Sequence, residues 1–225
     1  MATIYAHTND GLVGRFAQSS WSNARATTTG NTLSSTASVS SLGVRADRTS
    51  ARGGGSAYNI NRSFFFFDTS GITTDVSSAT FKVRGAFNGG GDLIAVKSNS
   101  DIETLATADF GSIVGWNTTT DGSGGGDNES NVTKYSAEIS TWSTSGYNDI
   151  TLNAQALADM RDDDTVYICL INYDYDLKDI APTGVSSNRN GLYYTNYTGT
   201  SRDPYLDYEL APTVTDNAIF FGTNF

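Results

Sequence analysis

The segment 173–179, Tyr-Asp-Tyr-Asp-Leu-Lys-Asp, carries the densest mixture of carboxylates and aromatic rings in the chain. Asp174, Asp176 and Asp179 follow a predicted strand, and loops in this position supply the several oxygen ligands that Ca²⁺ prefers. One interpretation is therefore a calcium site at these three residues. The spacing does not continue as an EF-hand, because the sixth position lacks Gly and the twelfth lacks Glu. The alternative is a solvated acidic loop, which leaves the protein without a metal or any other cofactor.

Residues suited to catalysis are scarce. The chain has one histidine, His7, and one cysteine, Cys169. Cys169 lies in the apolar run 165–171 and is predicted to be a buried structural thiol, whereas His7 is predicted to lie on the surface. A single histidine offers few ways to build a triad, and nothing marks one carboxylate of 174–179 for the raised pKa that glycoside hydrolysis requires. We predict that the protein is not an enzyme and has no catalytic residue.

Aromatic side chains could instead bind sugars by stacking. The candidates are Tyr193, Tyr194 and Tyr197, together with Trp21, Trp116 and Trp142. Aromatic residues of sheet proteins more often fill the core, so both interpretations stay open. Tyr193 and Tyr194 follow a turn-forming segment at 188–191, and one of these two rings is expected to face outward.

Two adjacent strands are predicted to organise the chain. The four phenylalanines at 64–67 form a short apolar run that favours a β-strand, and turn residues follow at 68–71. Ala79, Phe81 and Val83 alternate with polar residues, which is the pattern of a strand with one wet face. Because four consecutive phenylalanines leave no polar face, we predict that the first strand is central. The opposite sheet would cover one side of it, and loops or a neighbouring subunit the other.

The remaining patterns predict an all-β protein with one short helix. Strands are predicted at 3–6, 42–47, 93–97, 166–171 and 205–210, and 135–142 is expected to pair with 147–152. The run 166–171 is nearly all apolar and is expected to be central as well. Asn153 is a suitable N-cap for a helix over 154–160. The Ser- and Thr-rich segment 19–41 is expected to be a long surface excursion.

The end of the sequence is unusually apolar, since 217–225 reads Asn-Ala-Ile-Phe-Phe-Gly-Thr-Asn-Phe. Leaving Ile219, Phe220, Phe221 and Phe225 in water is costly, at ~25 cal/mol per Å² of apolar surface. The tail could fold back as an extra strand on its own sheet, or dock on a neighbouring subunit as a strand-forming arm. We therefore divide the chain into a single domain at 1–212 and a tail at 213–225.

Several of these segments resemble the DNRLRE-type β-sandwich domains, jelly-roll modules related to carbohydrate-binding modules. The resemblance begins with the run 62–83, continues with 148–153 and the helix after it, and ends with 203–208, in the family's order. It covers roughly residues 2–210 and implies a jelly-roll β-sandwich with one short helix. Such domains occur in secreted polysaccharide-active proteins and in phage structural proteins, so the resemblance implies little about activity.

Charge and composition restrict the kinds of binding partner that the protein is expected to have. A formal net charge of −10 repels phosphate backbones and anionic membranes, so neither nucleic acid nor a membrane is an expected partner. The first twenty residues lack the apolar run of a signal peptide, and a single cysteine cannot form an internal disulfide. A sheet-forming chain with these features fits a viral protein that is made in host cytoplasm and carried in the virion.

These observations favour a non-enzymatic structural protein of a tailed-phage virion, and within that class a capsid decoration (cement) protein that stabilises the shell. The expected partners are the major capsid protein and further copies of the chain, with a trimer favoured, through contacts at 1–15 and the tail. The alternative is a sugar-binding module, in a tail fibre or a secreted protein, that binds polysaccharide through the three tyrosines. A polysaccharide-degrading enzyme is the least favoured class.

Overall fold

The computed structural model describes residues 1–34, 39–50, 54–99, 105–117 and 127–212. These ranges contain eleven strands: β1 (Ala2–Tyr5), β2 (Gly11–Gln18), β3 (Thr32–Ser34), β4 (Val39–Ser50), β5 (Ser56–Asp68), β6 (Val76–Asn88), β7 (Leu93–Lys97), β8 (Tyr147–Thr151), β9 (Thr165–Asn172), β10 (Arg189–Tyr193) and β11 (Tyr205–Leu210). They also contain two α-helices, α1 (Trp21–Arg25) and α2 (Ala154–Asp162), a 3-10 turn at Thr107–Gly111 and a π-helical turn at Tyr173–Leu177. No helix within these ranges is long and apolar enough to cross a membrane.

Two antiparallel sheets form the framework. The first sheet has the order β1-β11-β6-β8. In the second, β5 is bordered by β2 on one edge and by β4 and then β9 on the other, with β3, β10 and β7 outside them. β6 joins the sheets, because its C-terminal part pairs with β10. The predicted all-β sandwich is therefore confirmed.

The phenylalanine strand is central and covered on both faces, as predicted. Phe65 and Phe67 point into the core between the two sheets, where both pack edge-on against Phe81 of β6. Phe64 and Phe66 point to the opposite face of the second sheet. All four rings are fully buried. β9, predicted to be central from its apolar run, lies between β5 and β7.

Loops and short helices of the same chain cover the outer face of the second sheet. This outer layer contributes the buried side chains Trp21, Leu105, Phe110, Ile113, Val132 and Leu177, which pack with Phe64 and Phe66. Of the two predicted kinds of cover, loops of the same chain are the one observed. The molecule thus has three layers, and the second sheet is the middle one.

Two strand predictions were wrong in detail. β8 pairs with β6 instead of with 135–142, which runs beside β7 through isolated bridges such as Leu93–Ile139. The turn between them is closed by the side chain of Asn148, which accepts from the Ser143 amide (2.7 Å) and donates to the Ser143 carbonyl (3.0 Å). The second concerns β11, whose alternation predicts that Leu206, Tyr208 and Leu210 face the core. Leu206 is buried, but Leu210 is 49% exposed because the strand extends past the core at that end.

The predicted helix is confirmed as α2, with the Asn153 side chain accepting from the Ala156 amide (3.1 Å). The other helix, α1, was missed inside the segment taken as a surface excursion. It begins after Ser20, whose hydroxyl accepts from the Asn23 amide (3.1 Å). The N-cap residue was readable in the sequence. The five-residue length is too short for an apolar period to show.

Candidate functional site

The predicted calcium ligands do not come together. Asp176 is fully buried and accepts two hydrogen bonds from Arg62, each of 2.8 Å, in a bidentate ion pair. Arg62 lies on β5 and Asp176 in the π-helical turn after β9, so the pair fastens the outer layer to the middle sheet. Because both of its oxygens accept hydrogen bonds from Arg62, the Asp176 carboxylate has a structural role.

A second buried guanidinium completes this ion cluster. Arg25 of α1 donates to the backbone carbonyls of Asp176 (2.5 Å) and Leu177 (3.1 Å), and lies 3.5 Å from an Asp179 carboxylate oxygen. Asp179 also accepts from the Trp21 indole (2.7 Å). Burial lowers the pKa of Arg25, and the charges of Asp176 and Asp179 oppose that shift. Both guanidiniums are therefore neutralised within the outer layer.

Trp116 covers the cluster and is half-buried. The guanidinium carbon of Arg62 lies 4.0 Å from its ring centroid and that of Arg25 lies 4.8 Å away. Trp21 and Trp142 are each 7% exposed. The Trp142 indole donates to the Gly191 carbonyl (3.1 Å). Trp21 and Trp142 thus pack and donate hydrogen bonds inside the chain, and Trp116 packs against the two guanidinium groups.

Asp174 lies beside two carboxylates, those of Asp92 and Glu138, that no local sequence pattern indicates. Carboxylate oxygens of Asp92, Glu138 and Asp174 all lie within 4.8 Å of one another. Burial and the charge of Asp92 raise the pKa of Asp174, while Lys178 lowers it. This acidic group could supply oxygens to a cation. Its members come from three separate segments, so no local spacing in the sequence could have revealed it.

The three predicted sugar-contact tyrosines are divided by burial. Tyr194 is fully buried, stacks on Phe65 and shares a 2.7 Å hydrogen bond with Ser63. Tyr193 and Tyr197 are half-buried and meet edge to face, with ring centroids 4.9 Å apart. Arg202 lies 4.6 Å from each of these two rings, and its guanidinium donates to the Tyr193 hydroxyl (2.6 Å). The outward ring predicted between Tyr193 and Tyr194 is therefore Tyr193.

The two candidate catalytic side chains are far from forming a pair. His7 is exposed, as predicted, and Cys169 is fully buried on β9, where burial raises the pKa of its thiol. Near His7, the carboxylate of Asp10 is fully buried and accepts from the Thr195 hydroxyl (2.6 Å) and amide (3.1 Å). Burial raises the pKa of Asp10 to about 7. No sequence pattern had pointed to Asp10.

An open sheet edge is the most distinctive surface feature. Within the described ranges β1 pairs only with β11. The Ala6 amide donates to the Pro204 carbonyl (2.9 Å), and hydrogen-bonded positions alternate along an antiparallel pair. The backbone groups of Thr3 and Tyr5 therefore point away from β11, toward the open edge.

Apolar side chains flank the same edge. Met1 is 83% exposed, Tyr5 50% and Leu210 49%. Met1, Ala2, Tyr208, Glu209 and Leu210 line a shallow depression of about 420 Å³. Unpaired backbone groups beside exposed apolar side chains are what another chain needs for strand addition. We call this surface, formed by Met1, Ala2–Tyr5 and Leu210, the β1 edge.

One further groove, of about 610 Å³, lies at the end where β7 finishes and β9 begins. Its lining includes Lys97, Asn99, Asp163 and Tyr167. The Lys97 ammonium is already bound by Asp159 and Asp163, each at 3.0 Å. The Tyr167 ring packs edge-on against Phe66. Lys97 and Asp163 of this groove are therefore engaged with each other.

Neither a scan against protein-family models nor a search of curated proteins found a match to this chain. The resemblance to DNRLRE-type domains stays a prediction.

Proposed function

We propose that the protein is a non-enzymatic structural component of a tailed-phage particle, a capsid decoration protein that binds neighbouring subunits through the β1 edge. The observation that carries the proposal is the open edge itself, where the backbone groups of Thr3 and Tyr5 point outward beside exposed Met1 and Leu210. Strand addition at this edge would join subunits by main-chain hydrogen bonds and apolar burial. Such contacts raise the free energy needed to separate the joined subunits.

The character of the rest of the molecule supports a structural role. The buried charged residues Arg25, Arg62 and Asp176 hold two layers of the same chain together. A three-layer body of this kind gives a rigid support for an edge contact. The net charge of −10 keeps a surface-bound protein soluble and favours partners that offer neutral or basic surface.

A backbone substitution tests the edge directly. Thr3→Pro removes an outward N–H but leaves the hydrogen bonds between β1 and β11, since those use Ala2, Ile4 and Ala6. We expect Thr3→Pro to abolish self-association in sedimentation equilibrium and binding to capsid subunits. Thr3→Val is the matched control, because it keeps the backbone N–H. It loses only the hydrogen bond that the Thr3 hydroxyl donates to the Asp207 carboxylate (2.7 Å). Equal association of both variants would contradict the proposal.

The virion role is tested separately, by the copy number of the chain in purified particles. Quantitative mass spectrometry against the major capsid protein should give a number comparable with the number of capsid subunits. A handful of copies would place the protein in the tail or a fibre. Absence from particles would overturn the virion role even if the β1 edge binds another chain.

A sugar-binding module is the second candidate, and one observation favours it. Tyr193 and Tyr197 form a half-exposed aromatic pair with Arg202 over both rings. Aromatic faces with a nearby polar group suit stacking of a sugar ring. A saccharide that binds at this pair, in place of association at the β1 edge, would favour this second candidate.

A further inference from the structure

Hydrogen bonds from one buried carboxylate join two connections of the fold. The turn 7–10 links β1 to β2, and the loop 194–204 links β10 to β11. The Asp10 carboxylate accepts from the Thr195 hydroxyl (2.6 Å) and amide (3.1 Å). The Asn196 side chain donates to a backbone carbonyl of the turn (3.0 Å). We call these contacts of Thr195 and Asn196 with the turn the Asp10 clasp.

The two ends of the loop are held by other contacts. Tyr194 is fully buried, and its hydroxyl shares a 2.7 Å hydrogen bond with Ser63 of β5. At the other end Pro204 is buried, and its carbonyl accepts from the backbone amide that follows β1 (2.9 Å). Between these ends, 198–201 is exposed. The stretch 195–202 can therefore leave the turn while both ends of the loop stay in place.

A second buried carboxylate lies near the clasp. Asp203 is 7% exposed, and its Oδ1 atom is buried without a hydrogen-bond partner among the described residues. The charge of Asp203 disfavours that of Asp10, and burial disfavours both. Arg202 is the only cationic residue of the loop, and it lies over the rings of Tyr193 and Tyr197. Ionisation of these carboxyl groups therefore weakens the clasp.

The other titratable groups around Asp10 do not offset its charge. In the same turn His7 is exposed, and its Nδ1 atom accepts from the Asn9 amide (3.2 Å). In the loop, the charge of Asp10 and burial raise the pKa of the Tyr194 phenol, so this group stays neutral near pH 7. β5 contributes the neutral hydroxyl of Ser63. Asp10 and Asp203 are therefore the groups on which the clasp depends.

We propose that the Asp10 clasp is a pH-sensitive latch, which holds 195–202 against the turn 7–10 when Asp10 is protonated and releases this stretch when Asp10 is ionised. Burial raises the pKa of Asp10 from 3.8 to about 7 in the closed form. The latch is therefore fully closed below pH 3.8 and weakens as the pH rises to about 7. The proposal concerns a local opening and does not depend on the proposed function.

Release changes the aromatic surface beside the loop. Tyr193 belongs to β10, whereas Tyr197 and Arg202 belong to the stretch that leaves the turn. The edge-to-face pair of the two rings and the hydrogen bond from Arg202 to the Tyr193 hydroxyl are therefore present only in the closed form.

Hydrogen exchange of the Thr195 amide in the full chain tests the latch, because this amide donates to Asp10. The rate is measured by NMR and divided by that of an unstructured peptide at the same pH. We expect the opening equilibrium to increase on the order of a hundredfold from pH 5 to pH 8.

Low concentrations of urea separate local opening from global unfolding. A local opening exposes little surface, so urea should not accelerate exchange at Thr195, whereas it should accelerate exchange of the amides of β9. Equal acceleration at both places would overturn the proposal, since the loop would then leave the turn only when the whole protein unfolds.

Two variants and a control assign the effect. Asp10→Asn should remove most of the pH dependence at Thr195, because the amide accepts hydrogen bonds but does not ionise. Asp149→Asn is the matched control, since the Asp149 side chain is 60% exposed on β8, and it should keep the wild-type dependence. Thr195→Val loses the 2.6 Å hydroxyl bond and should open more at every pH. A wild-type pH dependence in Asp10→Asn, or unchanged opening in Thr195→Val, would overturn the latch.

Discussion

Two fully buried carboxylates, Asp176 and Asp10, have opposite surroundings. Asp176 faces the guanidinium groups of Arg62 and Arg25, with side-chain distances of 2.8 and 3.7 Å. Asp10 accepts from the neutral hydroxyl and amide of Thr195, and the nearby carboxylate of Asp203 disfavours its charge. Burial therefore has different consequences at the two sites.

The difference shows how this fold uses buried charge. Around Asp176 the charges balance, so the ion cluster can fasten the outer layer to the middle sheet. No cationic side chain of the described residues forms an ion pair with Asp10, and burial raises its pKa from 3.8 to about 7. The ion cluster at Asp176 links two layers of the fold, whereas Asp10 is a buried carboxyl group whose charge changes near neutral pH.

The largest expected effect is that of Asp176→Ala. The substitution leaves the fully buried guanidiniums of Arg62 and Arg25 without their shared carboxylate. Removing one partner of a buried ion pair costs about 3–5 kcal/mol of unfolding free energy. Equilibrium urea unfolding measures the loss.

Asp149→Ala is the matched control, because Asp149 also pairs with a cation but its side chain is 60% exposed. An exposed pair contributes about 0–1 kcal/mol. If the two variants lose similar unfolding free energy, the ion cluster does not fasten the outer layer as described.

The next effect is a pH dependence that comes from Asp10. A carboxyl group whose pKa is higher in the folded state stabilises that state fully at pH values below its unfolded pKa of 3.8, and this contribution is lost as the pH rises to about 7. The size is on the order of 4 kcal/mol. Burial also raises the pKa of Asp203, which adds a contribution of the same sign. Urea unfolding across this pH range should show the decline.

Asp10→Asn tests the assignment, because the amide cannot ionise but its oxygen can still accept from Thr195. We expect this variant to lose most of the decline between pH 4 and pH 7. A slope identical to that of the wild-type protein would assign the dependence to other groups.

The smallest expected effect on unfolding free energy is that of Tyr194→Phe, a substitution in the core near Asp10. Tyr194 is buried, and burial together with the charge of Asp10 raises the pKa of its phenol. Tyr194→Phe removes only the hydrogen bond to Ser63 and should cost about 1 kcal/mol of unfolding free energy, measured by urea unfolding.

Tyr194→Phe should not change the binding of any saccharide in a panel, whereas Tyr197→Ala should abolish any affinity that the panel reveals. A saccharide affinity that depends on the Tyr194 hydroxyl would contradict its placement in the core.

The predictions that succeeded depended on patterns within single segments. The four phenylalanines required cover on both faces, the alternation of Ala79, Phe81 and Val83 required one buried face, and Asn153 marked the start of a helix. Each of these follows from the period of one element or from one capping residue. The proposed phage location and the role of the tail stay predictions, and the tail residues Ile219, Phe220, Phe221 and Phe225 lie outside the described ranges.

The predictions that failed concerned the pairing of distant segments. A turn-like sequence at 143–146 suggested a hairpin, but the Asn148 side chain closes that turn and β8 pairs with β6. Asp174 and Asp176 are near neighbours in sequence, yet one joins Asp92 and Glu138 while the other joins Arg62. Side chains two positions apart in a turn can face different neighbours, and the sequence does not state which ones.

The sequence by itself determined the all-β class, the central phenylalanine strand and the lack of a second histidine or cysteine. Those properties are set by composition and by local periodicity. Only the tertiary structure decided that Arg62 meets Asp176 and that, among the described residues, Asp10 is buried without an ion-pair partner and β1 has an open edge. The physical reason is that burial, ion pairing and edge exposure depend on contacts between segments far apart in the chain, many of which fit the same local pattern.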